Sequence, residues 1–278
     1  MNIGEYQTLK VARDTPHGLF LTDGESDVLL PGNQCPPNLQ AGDEIEVFLY
    51  TDSEDRPIAT TRRPLAVAGE FAYLKVVAVA AGGAFFDWGL DKDLFCPRSQ
   101  QRYPLREGHK ALVRVYLDQA SKRVVCTTKI ERFLQNEGTG LTPGQKVGIL
   151  VSDVAEDAVR AIVDGRYKGT LFPDELHEEL RVGDRREAYV KAIRESDQRI
   201  ALSLRPQGFA GALAERERVL GALREAGGTL SVSDRSSPAE IQRMFGMSKG
   251  AFKKLIGALY REKLIELSDD AIRLAKNP

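Results

Sequence analysis

The side chains of this chain that could do chemistry are rings and cations rather than nucleophiles or metal ligands. Its three histidines, His17, His109 and His177, lie far apart with no HxH or HExxH context, which removes the usual zinc and general-base patterns. Nothing resembles G-x-S-x-G or a phosphate loop. Asp91 and Asp93 could suggest metal-dependent hydrolysis, but they lie in a turn between two apolar runs and read as solvated turn carboxylates. No catalytic constellation remains, so an enzyme is the reading excluded, and no cofactor or metal site is expected. Cys35, Cys96 and Cys126 form no CxxC and are sparse and odd in number. They read as reduced, buried thiols of a cytoplasmic protein.

What the chain does offer is Gly82–Gly89, GGAFFDWG, which holds the sole tryptophan and two adjacent phenylalanines in a protein that is 7% aromatic. Alternation along an extended strand puts Ala84, Phe86 and Trp88 on one face and Phe85 with Asp87 on the other. The aspartate needs water, so the first face is a core and Phe85 is left outside, free to stack on a planar partner. The same register puts Phe20 outside beside Thr22, with Leu19 and Leu21 inside. In a third, weaker copy Arg160 takes this position. A guanidinium plane can also stack on a base, and a solvated arginine is the competing reading.

These residues sit in a repeat. HGLFLTDGESDVLLP, GGAFFDWGLDKDLFCP and DAVRAIVDGRYKGTLFP are each followed by a glycine-led strand. A proline ends an apolar trio in each copy (Pro31, Pro97, Pro173), a glycine precedes a strand (Gly42, Gly108, Gly183), and an arginine comes near the end (Arg56, Arg123, Arg199). Repeats of this length are similar domains in series, longer than a solenoid unit. Ala111, Val113, Val115 and Leu117 share one strand face, with Arg114 and Tyr116 on the other. Such strands, parted by Gly, Pro and Asp turns, predict small closed barrels over residues 1–66, 67–134 and 135–206.

From residue 207 to 278 the period changes to that of helices. Leu213, Val219, Leu220 and Leu223 mark a helix ending at Gly227-Gly228. Ser237 with Pro238 and Glu240 opens a second, Gly246 turns the chain, and Ser248 caps a third with Phe252, Leu255, Ile256 and Leu259 as its stripe. LIELSDDAIRL alternates as a hairpin. This order is a winged helix-turn-helix, and the fold class is a mainly β multidomain protein with an α+β end. Lys249, Lys253 and Lys254 lie on the expected recognition helix, with Arg261 and Lys263 extending them. A charge run of this kind reads either as a solvated face or as a phosphate contact. The helix has no Asn or Gln to read adenine.

Net charge is −1 overall, but it is unevenly spread. The first barrel has 5 basic and 11 acidic side chains, the second 11 and 7, the third 11 and 13, and the last segment 12 and 9. The second barrel and the winged helix are therefore the candidates for meeting a polyanion.

The order glycine, small residue, phenylalanine, apolar strand, turn, apolar trio, L-x-x-G-D and a strand ending in D-x(3-4)-R resembles the OB-fold RNA-binding domain of ribosomal protein S-one type, best in the second copy. Three such barrels and a winged helix resemble the conserved virulence factor B (CvfB/YitL) family of bacterial RNA-binding proteins along nearly the whole chain. The resemblance implies that the D-x(3-4)-R element contributes to the nucleotide-binding face. Asp118 with Arg123, Asp52 with Arg56 and Glu195 with Arg199 fit it, against the plain reading of strand-end salt bridges. Lys75, Lys110 and Arg114 could widen the basic surface of the second barrel. The family often has a histidine where this chain has Leu30, Cys96 and Phe172, so the three barrels are not expected to bind alike.

The expected partner is single-stranded RNA, held by stacking and phosphate contacts with weak sequence preference, and the expected role is post-transcriptional regulation. The rivals are a DNA-binding transcription regulator using the winged helix, and a protein-binding scaffold. No apolar run reaches the roughly 18 residues of a membrane span and no small-molecule substrate is evident. The N-terminus has no signal-peptide pattern, so the expected location is the cytoplasm.

Overall fold

The three repeats fold into three closed five-stranded barrels, followed by a winged helix. The computed structural model describes residues 1–275 apart from 177, 195 and 207. In the first barrel the strands are β1 (Tyr6–Thr15), β2 (Gly18–Thr22), β3 (Asp27–Pro31), β4 (Glu44–Thr51) and β5 (Pro57–Thr60). The second contains β6 (Phe71–Ala80), β7 (Gly83–Asp87), β8 (Leu94–Pro97), β9 (Lys110–Leu117) and β10 (Val124–Thr127). The third contains β11 (Lys146–Val154), β12 (Val159–Val163), β13 (Tyr167–Leu171), β14 (Arg185–Ile193) and β15 (Ile200–Ser203).

All three close in one order. The first strand pairs with the second and the fourth, the third pairs with the fifth, and the fourth pairs with the fifth. Only the third–fifth pairing is parallel. One long strand can serve two neighbours because it bends at a register shift, between Val11 and Arg13, Val76 and Ala78, and Val151 and Asp153. A bulge supplies the extra twist that closure of so few strands requires. Gly83 allows a further close approach: a Cβ there would lie 2.2 Å from the carbonyl oxygen of Cys96. The glycine of the sequence motif is thus a packing requirement between β7 and β8.

The alternation read from sequence holds inside each barrel. Leu19 and Leu21, Ala84 and Phe86, and Ala111, Val113 and Val115 are buried. Cys96 and Cys126 lie together in the second barrel as free thiols, and Cys126 is pushed up by burial first and by its neighbour second. Cys35 is only half-buried, where a buried thiol was expected.

Trp88 is also buried in the core of the second barrel, and the rings it meets belong to the first. On β4 Val47 and Leu49 face into the first barrel, while Phe48 and Tyr50 face out and join the core of the second. The Trp88 ring meets Phe48 at 5.8 Å and Tyr50 at 6.3 Å between centroids, both edge-on, and its indole N–H donates to the carbonyl of Lys92 at 2.6 Å. The tryptophan is buried in the second barrel's core as expected, and it also rivets the two barrels together. It lies just past the end of β7.

The second and third barrels also touch. Phe71, Leu112 and Ile130 pack on Leu150 and Ile162, and Arg185 donates to the carbonyl of Phe71 at 2.7 Å.

The last segment forms α1 (Gly208–Glu225), β16 (Thr229–Leu230), α2 (Pro238–Phe245), α3 (Lys249–Arg261), β17 (Ile265–Leu267) and β18 (Ile272–Leu274), with sheet order β16-β18-β17. The Ser237 and Ser248 side chains accept from the backbone N–H of Glu240 and Ala251, both at 3.2 Å, and Gly246 turns the chain at φ +61°. Val219, Leu220 and Leu223 of α1 pack on Phe252, Ile256 and Leu259 of α3. Leu213, expected in that stripe, is 49% exposed, about one to three turns before Val219, Leu220 and Leu223 bring α1 onto the small domain's core.

Candidate nucleic-acid interface

Strand register shows what each barrel presents at the same place on its outer wall. In the second barrel Phe85 of β7 lies opposite Phe95 of β8, which neighbours Val125 of β10, itself opposite Tyr116 of β9. The two phenylalanine rings are half-buried and tilted against each other with centroids 5.1 Å apart. In the first barrel the equivalent pair is Phe20 and Leu29, and in the third it is Arg160 and Thr170. Only the second barrel carries two rings there.

Phe95 was not singled out from sequence, where LFCP counted as an apolar trio. The signal was available: Leu94 and Cys96 are buried in the core, so the residue between them must face out.

The two rings line a groove of about 410 Å³ together with Lys92, Asp93 and Arg123 of the second barrel and Thr51 and Ser53 of the first. It lies where the β4–β5 turn of one barrel meets the wall of the next. Arg123 does not pair with Asp118. Its guanidinium reaches Asp55 of the first barrel, and the Lys92 ammonium is 3.5 Å from the same carboxylate. Asp118 instead accepts from the Ser121 hydroxyl at 2.6 Å and its N–H at 3.0 Å, bonds that hold its carboxyl below the usual range.

The other two barrels treat this position differently. The Arg13 guanidinium sits 4.2 Å from the centre of the Phe20 ring, covering a face that was expected to be free. Asp52 and Arg56 do form an ion pair, at 2.8 Å. In the third barrel Arg160 pairs with Asp153 and Arg199 with Asp197, the latter at 2.9 Å; Glu195, its expected partner, lies outside the described residues, as does His177. The segment joining barrels two and three runs across this wall. The Asn136 amide donates to the carbonyls of Lys168 and Gln198 at 3.0 and 2.9 Å and accepts from the Lys168 N–H at 2.7 Å.

The remaining cations scatter. Lys75 is exposed on β6, opposite Asp87 of β7 and Lys110 of β9. The Lys110 ammonium lies 6.0 Å from the Tyr73 ring. Arg114 is placed at the junction of the second and third barrels, away from Phe85. Its guanidinium is 4.5 Å from the Phe71 ring and 5.4 Å from Phe133, it donates to Gly165, and burial lowers its pKa.

In the winged helix, Lys249 and Lys253 share a face and both turn to one loop, toward the carbonyl of Arg235 and the carboxylate of Asp234, each at 3.4 Å. Lys254 and Arg261 are exposed, and Lys263 leads into the wing. Tyr260 stands 54% exposed beside Arg261, a ring that sequence reading passed over.

Two parts of the chain match known domain models. Residues 3–62 match the model of the S1 domain, and residues 217–274 match that of the CvfB-like winged helix domain. YitL of Bacillus subtilis is 30% identical over 94% of this chain and 90% of its own length. Conserved virulence factor B of Staphylococcus haemolyticus is 26% identical over 92% and 89%. Among solved structures, a multidomain protein with nucleic acid binding domains from Streptococcus pneumoniae is 23% identical, covers 98% of each chain and has a TM-score of 0.42.

Proposed function

Because the chain belongs to the conserved virulence factor B family, we propose that it is a non-catalytic protein that binds single-stranded RNA through its second barrel. We further propose that it acts in the cytoplasm as a post-transcriptional regulator. The observation that carries this reading is the Phe85–Phe95 pair beside Arg123 and Lys92. Every base has a π-face, so two adjacent rings hold an unpaired strand with little regard to sequence, at about 1–3 kcal/mol per stacked base. The flanking Arg123 and Lys92, held at Asp55 in the unbound protein, would supply phosphate contacts by turning from that carboxylate to the strand. A duplex keeps its bases stacked on one another and leaves such a platform without a partner.

In this reading the winged helix is a second contact, with Lys254, Tyr260 and Arg261 on its free face. The lack of Asn or Gln on α3 speaks for backbone contact over base reading. Fluorescence anisotropy with labelled single-stranded RNA and duplex DNA, across a salt series, tests the proposal. Phe85→Ala and Phe95→Ala should each weaken RNA binding by about 5- to 150-fold, the range of one stacked base, with the melting temperature nearly unchanged. Tighter binding of the duplex would favour a DNA-binding regulator, and no binding of either would favour a protein scaffold.

A further inference from the structure

The groove beside Phe85 and Phe95 also holds a carboxylate whose chemistry narrows the bases it can take. Asp93 immediately precedes β8 and lies two residues before Phe95, so the two share one side of the chain. Both line the groove. The other charged groups there are engaged: Arg123 with Asp55, and Lys92 with Asp55 and the carbonyl of Asp52. Asp91, two residues earlier, pairs with Arg62. No hydrogen bond or ion pair joins Asp93 to any described residue. Burial first, and the nearby Asp87 second, raise its pKa, as for a carboxylate that has lost some water and gained no cation.

An ionised carboxylate only accepts hydrogen bonds, through two oxygens side by side. The Watson–Crick edge of guanine carries two adjacent donors, N1–H and the N2 amino group, which match those oxygens. Adenine and cytosine each offer one amino group beside a ring nitrogen whose lone pair repels the second oxygen. Uracil offers a single N–H between two carbonyls. Base size points the same way, since rings 5.1 Å apart make a platform broad enough for a fused purine. We propose that Asp93 gives this groove a preference for an unpaired guanine, stacked on Phe85 and Phe95 with its N1 and N2 donors on the carboxylate. This rests on the reading of the groove as an RNA site.

The test uses the full chain and labelled nine-residue oligouridines carrying a single central G, A or C. The G oligomer should bind about tenfold tighter than the others, the order of one charge-assisted bidentate contact. Asp93→Ala should erase that margin, so that the G, A and C oligomers bind the variant equally, while its overall affinity rises as one negative charge leaves the groove. Asp93 is exposed at a turn, so the variant should melt with the wild type. Equal binding of the central bases, or a G margin that survives in Asp93→Ala, overturns the guanine assignment and leaves RNA binding standing. Failure of every oligomer to bind overturns the RNA reading itself, and this proposal with it.

Discussion

Replacing Trp88 with alanine should separate the first barrel from the second. The indole is 2% exposed and lies edge-on to Phe48 and Tyr50. Removing a buried aromatic side chain costs about 3–5 kcal/mol in lost transfer and cavity energy, of which about 0.5–1.5 kcal/mol belongs to each ring pair. The bond to the Lys92 carbonyl is lost as well. A mid-range loss of about 4 kcal/mol is a large share of the 5–15 kcal/mol that holds a typical domain. Phe48 is 0% exposed, covered by Tyr6 of its own barrel and by the second barrel, so loss of the rivet should also loosen the contact with the second barrel. Calorimetry should then resolve the first barrel as an earlier transition, and urea titration should show a lower midpoint. Trp88→Phe should cost less, because it keeps a ring against the pair. The reasoning fails if Trp88→Ala loses less than about 1 kcal/mol and melts with an unchanged profile.

Two further outcomes follow from charge placement. Asp55→Asn should free Arg123 and Lys92 for phosphate, tightening single-stranded RNA binding several-fold and steepening its dependence on log salt; weaker binding would mean that Asp55 holds the arginine in its working position. In the first barrel, the hydrogen bond from Arg13 holds the Asp27 carboxyl below its usual range. A pKa depressed by folding gives stability that is present above the unfolded value near 4 and is lost as pH falls through the folded value. The melting temperature should therefore drop below about pH 4, and Asp27→Asn should make that drop shallower.

The barrels were legible because strand alternation, turn residues and the glycine of GGAFFDWG are local requirements. The caps at Ser237 and Ser248 were legible for the same reason, being satisfied within three residues. What could not be read was what covers an outward face. Alternation puts Phe48 and Tyr50 outside the first barrel, but it cannot show that another barrel encloses them. Arg123 was matched to Asp118, five residues away, whereas its partner Asp55 is 68 residues away. Arg114 fell on an outer face as expected, and that face became a domain junction. Phe95 was missed for a different reason: an apolar trio was treated as one unit, although its middle residue points the other way.

The shared packing of β4 and Trp88 also has a consequence during synthesis. The first barrel completes its strands at Thr60, whereas the second closes only when β10 ends at Thr127. At the usual elongation rate the intervening stretch takes on the order of 3–13 s to emerge. During that interval a folded first barrel shows Phe48 and Tyr50 to the solvent with nothing yet made to receive them. A nascent chain paused there carries a sticky patch of its own, and truncated fragments ending before Trp88 would inherit it permanently. Expressing the first barrel alone is therefore expected to yield self-associating material, whereas the full chain, which covers Phe48 and Tyr50, stays dispersed.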